Sequence, residues 1–530
     1  MVTDTVSFTY DDLGNLETAT DSDSSLTFTP DPLGRVSSVV TGGTLGATTV
    51  SYTYDKSGNR ATLTDPQGFV TTYAYDELNR LTTLTSHQGI FTFGYDDASR
   101  RTSLTFPNGV TLDYDFDDAS QLLSLEYLNP AQQVLSKFDY TYDDAGNRDT
   151  RTTLDGVTSY GYEDLDRLTS AVGPDPANPM QTLIESYDYD AVGNRTASHL
   201  ATGQMHDDAN RLLEDSRFEF DYDANGNMTS KQDQVTLELT TYDWDVEDRL
   251  IAVHTPTQTV SFRYDPLGRR IEKAGATTTR YIHDQEDITD ERDGTNALTF
   301  RYVHGPGIDE PLARRDVAAG QTVFFHVDGV GSIADTSNTA QPPQVSTAYR
   351  YDSYGNPLVG VNSSGFAFTG REWDTDIDLY HYRARYYDPD TGRFISADPI
   401  AFVGGINFYA YAGQNPLNYL DSFGLDLIPV DLPGLGRSYL DDAFAPLVQD
   451  FIENARRRGL IPTFNSAYRT PERQRALEKD PDAITPAVES LHSCGFAVDV
   501  NYSSLPNDSL RRRLREAARE AGLDWGGDFR

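Results

Sequence analysis

From Phe8 to Lys273 the chain returns to one polar–apolar signature: an aromatic, a polar residue, a second aromatic, an acidic turn and a Thr-rich alternating segment. It reads FTYDDLGNLETAT from Phe8, YTYDKSGNRATLT from Tyr52, YAYDELNRLTTLT from Tyr73, FGYDDASRRTSLT from Phe93 and YTYDDAGNRDTRT from Tyr140. Further copies start at Tyr160, Tyr187, Phe220, Tyr242 and Phe262. Period-2 alternation puts both rings on one face of a strand, and Asp-x-x-Gly-Asn supplies a turn whose Gly or Asn takes positive φ. Each unit therefore predicts strand, turn, strand. Tyr54, Tyr75 and Tyr95 lie 21 and 20 residues apart, and Trp244 and Tyr264 lie 20 apart, the period of one supersecondary unit. A lone hairpin cannot bury its aromatic face, so neighbouring units are expected to stack into continuous sheet.

The periodicity changes after about residue 436. Leu440, Phe444, Leu447 and Phe451 recur at four, three and four, one apolar helical face, with Ser438 as cap and Arg456, Arg457, Arg458 and Gly459 as the stop. Helices are also expected from Thr470 and from Asn507 to about Gly522, with LIPTFNSAYR and GFAVDVNY as strands. The segment Asp426–Gly436, DLIPVDLPGLG, reads as a linker.

Charge follows the same division. Residues 437–530 hold 14 Lys and Arg against 15 Asp and Glu, so nearly all of the net charge of −39 belongs to the repeats. Such a surface repels nucleic acid and anionic membrane, and a nucleic-acid partner is not expected. The single cysteine, Cys494, forms no internal disulfide and reads as a small buried filler. Neither a basic, apolar leader nor about 18 consecutive apolar residues occur. The chain starts inside a repeat, and it is expected to be part of something longer.

The density of Tyr-Asp copies resembles the RHS or YD-repeat family, whose repeats coil into the β-shell of bacterial toxins and of the teneurin YD-shell. The segment GREWDTDIDLYHYRARYYDP from Gly370, TGRFISADPI from Thr391, GGINFYAY from Gly404, QNPLNYLD from Gln414 and DSFGL from Asp421 resembles the RHS-associated core. In toxins that core resembles an aspartyl autoprotease cutting after the final leucine, here between Leu425 and Asp426. Such chemistry needs two carboxylates sharing a proton. The resemblance implies Asp388 and Asp398, with Asp374, Asp376, Asp378 and Asp421 as alternatives and Arg385 as an orienting group. Ser422 stands where the family commonly has proline.

In the tail, SAYRTPERQ from Ser466 and SLHSCGFAVD from Ser490 carry imidazole and carboxylate seven residues apart, zinc-type ligands. With GLDWGGD from Gly522, they resemble the M15 family of zinc DD-carboxypeptidases and endopeptidases, on the Hedgehog/DD-peptidase fold. That resemblance implies His492 and Asp499 as ligands of Zn2+, Arg469 as the catalytic oxyanion stabiliser, and Gln474 and Ser490 in support. No histidine follows His492, so the family's third ligand and general base are missing, and weak zinc binding and poor hydrolysis are expected.

The resulting expectation is a mainly β chain: a YD-repeat β-hairpin spiral or shell over 1–369, the core over 370–425, a linker over 426–436, and a truncated α+β zinc-peptidase-like domain over 437–530. Its expected function is that of a secreted or cell-surface bacterial toxin fragment, releasing a metallopeptidase onto peptidoglycan peptides, with a secretion apparatus and an immunity protein as partners. The alternative is a non-enzymatic surface repeat module with an inactive tail.

Overall fold

The structure is a computed structural model. It describes residues 5–43, 46–361, 363, 365–400 and 406–425, together with the backbone of four short strands further on. Two compact units are distinguished: Met1–Ala397 with Tyr409–Asn418, and Asp398–Phe408 with Tyr419–Arg530.

In the first unit, the repeats form the expected hairpins. Eighteen strands from Ser7–Tyr10 to Arg195–Ser198 make one antiparallel sheet, and fifteen from Met205–His206 to Val345–Ala348 make a second. Each strand pairs with its neighbour in sequence, as Thr48–Tyr54 does with Arg60–Thr64 and Val70–Tyr75 with Leu81–Ser86. A register shift sits at the second aromatic of the unit, at Thr53/Tyr54 and again at Ala74/Tyr75. This irregularity admits the turn that follows.

The acidic residue of each unit builds that turn. Asp55 Oδ1 accepts the amides of Ser57 and Asn59, both at 2.9 Å, while Gly58 takes φ +92°. Where the glycine is replaced, Asn79 and Ser99 adopt φ +60° and +66° in the same place. The residue four after the aspartate returns to it, as in Arg80 Nε to Asp76 Oδ2 at 2.7 Å. The same guanidinium reaches the next turn, donating to the carbonyl of Asp96 at 2.8 Å and lying 4.9 Å from the Tyr95 ring centre.

The tyrosine before the aspartate has its own task. Its hydroxyl donates to a main-chain carbonyl of the preceding unit, Tyr75 to Arg60 at 3.0 Å, Tyr95 to Leu81 at 2.9 Å and Tyr264 to Leu250 at 2.6 Å. A phenylalanine fills the same volume but leaves that carbonyl unmet.

One core joins the two sheets. Leu84, Phe91, Phe106 and Tyr127 of the first pack with Leu312, Ala313 and Phe324 of the second. Phe324 meets Phe91 and Phe106 at ring separations of 6.2 and 6.1 Å in edge-on geometry.

In the second unit, the strand Leu427–Leu432 pairs with Gly436–Asp441. Hairpin backbone thus falls within the stretch read as linker and over the start of the helix expected from Ser438, where LIPVDL is a short apolar run with β-branched Ile428 and Val430. Phe464–Ser466 pairs with Asp499–Val500, Ser466 standing opposite Asp499. The remaining helices expected in the tail lie outside the described residues.

Candidate functional site

The strands Gly365–Phe366, Glu372–Asp374, Leu379–Tyr382, Arg385–Asp388 and Arg393–Phe394 form a five-stranded antiparallel sheet in the first unit. Its sequence is unusually aromatic, and the rings gather on one face: Trp373, Tyr380, Tyr382, Tyr387, Phe394 and Tyr411 are all buried. Tyr387 and Tyr411 lie 4.4 Å apart. Burial of that many rings makes a rigid base for the charged side chains beside it.

Those charges are buried in pairs. Asp388 is 2% exposed and receives Lys231 Nζ at 3.0 Å. Its other oxygen accepts the amide of Asp390 at 3.0 Å, and its carbonyl accepts that of Gly392 at 2.8 Å. Burial opposes the Lys231 charge, but the carboxylates of Asp388 and Asp390 outweigh it and hold the ammonium above its usual range. Asp374 sits between Arg270 and Lys273, the latter at 2.9 Å, and Lys273 also reaches Asp376 at 3.3 Å. Burial pushes Asp374 up, yet the two cations prevail and keep it below the ordinary carboxylate range. Asp378 has the opposite balance, raised chiefly by burial. In the first unit, Asp374, Asp376 and Asp388 therefore each face a cation. Arg385 is fully buried and lies 3.6 Å from the Phe394 ring centre.

In the second unit, Asp398 is buried, its Oδ1 accepting the amide of Ile400 at 2.8 Å and its own amide donating to Phe408 O at 3.0 Å. Asp421 is buried as well, and its Oδ1 accepts the amide of Leu425 at 2.7 Å. The residue preceding the expected cut is thus tied back to a carboxylate four positions earlier. Ser422 is buried beside it in sequence.

Arg469, Gln474, Ser490, His492 and Cys494 lie outside the described residues, and Asp499 is described only as strand backbone. Lys231, the partner of Asp388, went unseen in the sequence, 157 positions away in a repeat like the others.

Comparison with known proteins bears on the function. Residues 157–417 match the teneurin YD-shell, and residues 31–70, 54–90 and 75–111 match the RHS repeat. The chain is 31% identical over 325 residues to double-stranded DNA deaminase toxin A of Burkholderia cenocepacia, covering 54% of this chain and 22% of that protein. It is 30% identical over 265 residues to the tRNA nuclease WapA of Bacillus subtilis, covering 46% and 11%. With the probable deoxyribonuclease RhsB of Dickeya dadantii it shares 28% over 312 residues, covering 56% and 21%. The chain thus spans no more than about a fifth of the length of these relatives. Among solved structures, the TcdB2-TccC3 complex without its hypervariable C-terminal region superposes with a TM-score of 0.66 at 20% identity, over 77% of this chain and 24% of that one.

Two expectations are corrected by these relatives. The toxins named are a DNA deaminase, a tRNA nuclease and a deoxyribonuclease, and none is a peptidoglycan peptidase. The peptidase reading rested on motifs covering under a fifth of the chain, with an incomplete ligand set. The exclusion of nucleic acid rested on a charge of −39 carried by the repeats. That charge describes the repeat surface and sets no limit on what a toxin acts on.

Proposed function

The repeats of this chain being an RHS/YD-repeat shell, we propose that the chain is the shell-and-core section of an RHS-type toxin, and that it cuts itself between Leu425 and Asp426 to free the segment that follows. The observation carrying this reading is the Leu425 amide, hydrogen-bonded at 2.7 Å to the buried Asp421 carboxylate. A peptide held in one turn presents one carbonyl repeatedly to the same groups.

Asp388 and Asp398 are the proposed pair. One carboxylate takes a proton from water as its oxygen bonds to the Leu425 carbonyl carbon. The other, protonated, gives its proton to the Asp426 nitrogen as the C–N bond breaks, leaving a carboxyl at Leu425 and an amine at Asp426. The deaminase and nuclease relatives make nucleic acid the substrate class in which to assay the freed segment.

Purified full-length chain tests the cleavage. Mass spectrometry and N-terminal sequencing are expected to find a fragment beginning at Asp426, absent from Asp398→Asn. Wild-type chain that stays intact rules the reading out.

A further inference from the structure

The strand Asn178–Tyr189 is twelve residues long, and its two sides are used very differently. Along one side it pairs with Leu168–Asp175 between Asn178 and Ser186. On the other, Arg195–Ser198 reaches only Tyr187, Asp188 and Tyr189. No other strand among the described residues takes up that side, so residues 178–186 present an open sheet edge.

An open edge is ordinarily blunted by charge, and this one is not. Met180, Gln181, Thr182, Ile184 and Ser186 are exposed and uncharged, in a chain whose net charge is −39. The stretch has one carboxylate, that of Glu185, which is buried and accepts the Ser353 amide at 2.9 Å and the Tyr187 hydroxyl at 2.6 Å. Pro179 has no amide to offer, so the usable edge starts at Met180. Met180 is 94% exposed and Ile184 61%, and Ile184 stands opposite Val172, itself exposed on the neighbouring strand. Together they make an apolar strip along the edge.

The pattern is its own complement. Turned antiparallel about Thr182, the edge sets Met180 against Ile184 of a second copy, Ile184 against Met180 of that copy, and Thr182 against Thr182. The repeats already use the last pairing: Thr9 and Thr18, Thr53 and Thr62, and Thr141 and Thr150 stand opposite one another with hydroxyls 2.6, 2.7 and 2.7 Å apart. A charged partner finds nothing on this strip to hold. For two copies of so acidic a chain, an uncharged strip is where approach costs least.

We propose that two copies of this chain join edge to edge through residues 180–184, continuing the antiparallel sheet of one molecule into the other.

Sedimentation velocity of the full chain at about 100 µM, a concentration suited to so small an interface, is the direct test. A species of twice the monomer mass is expected. Because the copies repel, its fraction should rise as salt is raised to about 0.15 M, where charge is screened over about 8 Å. Thr182→Lys sets two ammonium groups against each other at the two-fold axis and is expected to weaken association by about tenfold or more, with thermal unfolding unchanged because the position is exposed. In a Cys494→Ser background, Thr182→Cys is expected to give a disulfide-linked dimer under mild oxidation. Thr141→Cys, exposed on a strand paired along both sides, is expected not to. A monomer under these conditions, a dimer that survives Thr182→Lys, or equal cross-linking of the two cysteine variants overturns the proposal.

Discussion

Ser136 Oγ stands 2.7 Å from Asp335 Oδ2, a bond that ties the first sheet to the second across 199 residues of chain. His326 Nδ1 lies 2.9 Å from Ser136 Oγ. One hydroxyl has one proton, and an ionised Asp335 can only accept, so Ser136 donates to Asp335 and His326 donates to Ser136. The other ring nitrogen then accepts from Ser337 at 3.0 Å, whose oxygen takes Asn108 Nδ2 at 3.1 Å. Serine, histidine and aspartate meet here in the reverse order from a nucleophile's relay. The histidine gives the serine a proton instead of taking one, and the group is a polar seam between the sheets.

That seam makes stability depend on pH. Burial brings His326 from 6.5 down to about 3, so between those values the unfolded chain takes up a proton that the folded chain refuses. Its contribution is complete above pH 6.5 and shrinks as the pH falls, by about 1.4 kcal/mol per pH unit. Asp335, raised chiefly by burial, has the opposite sign, with Arg350 restraining it. His326→Asn is expected to be less stable than wild type at neutral pH, and the gap should narrow by about 2 kcal/mol between pH 6.5 and 5. Urea unfolding at a series of pH values measures this, and parallel curves would show that His326 does not set the slope.

The turn aspartates should differ sharply from the acidic residues next to them. Asp265 is fully buried, accepts the amides of Leu267 at 2.9 Å and Arg269 at 3.0 Å, and pairs with the Arg269 guanidinium at 2.6 Å. Asp265→Ala leaves that cation and two amides unanswered and is expected to cost about 3 kcal/mol. Asp144 is exposed, and Asp144→Ala should change stability by about 0.5 kcal/mol or less. Thermal unfolding of the two variants side by side decides it.

Lys231 and Asp388 should be coupled. Either Lys231→Met or Asp388→Asn alone upsets a buried ion pair, at a cost of about 3 kcal/mol for the variant that strands a charge. The double variant should be more stable than the sum of the two losses predicts, by about 1 kcal/mol or more. Strict additivity in a double-mutant cycle would mean that the two side chains stabilise the core independently.

Asp421 offers a kinetic test of the proposed cut. Its carboxylate is hydrogen-bonded to the Leu425 amide, so Asp421→Ala frees the peptide without removing Asp388 or Asp398. Self-cleavage is expected to slow by about tenfold or more, with the product still starting at Asp426. A wild-type rate in a time course followed by gel would show that the turn plays no part in cutting.

Much of the first unit was legible in the sequence because its information is local. The Tyr-x-Tyr-Asp alternation and the Gly or Asn after it specify strand and turn within some fifteen residues, and Gly58 and Asn79 have the positive φ that this reading requires. The core was visible in the same way, as a concentration of tyrosine. Its electrostatics were not: Asp388 depends on Lys231 and Asp374 on Arg270, about a hundred residues or more away, in repeats that nothing local distinguishes. The purpose of the repeated aspartate, whose carboxylate takes two amides of its own turn, was also missed, although the Arg or Asn four residues later is a signal that could have revealed it. Charge misled most, because a global sum was made to speak about a partner.

The tyrosine hydroxyls that reach back to the preceding unit have a consequence for how the protein is made. The Tyr75 bond to the Arg60 carbonyl needs both hairpins in place, as does that of Tyr95 to Leu81. Each unit is therefore tied to its neighbour, and a hairpin formed anywhere in the array offers the next one a partner. Ties such as Ser136 to Asp335 must wait for some two hundred further residues, so they lock a sheet that local pairing has already laid down.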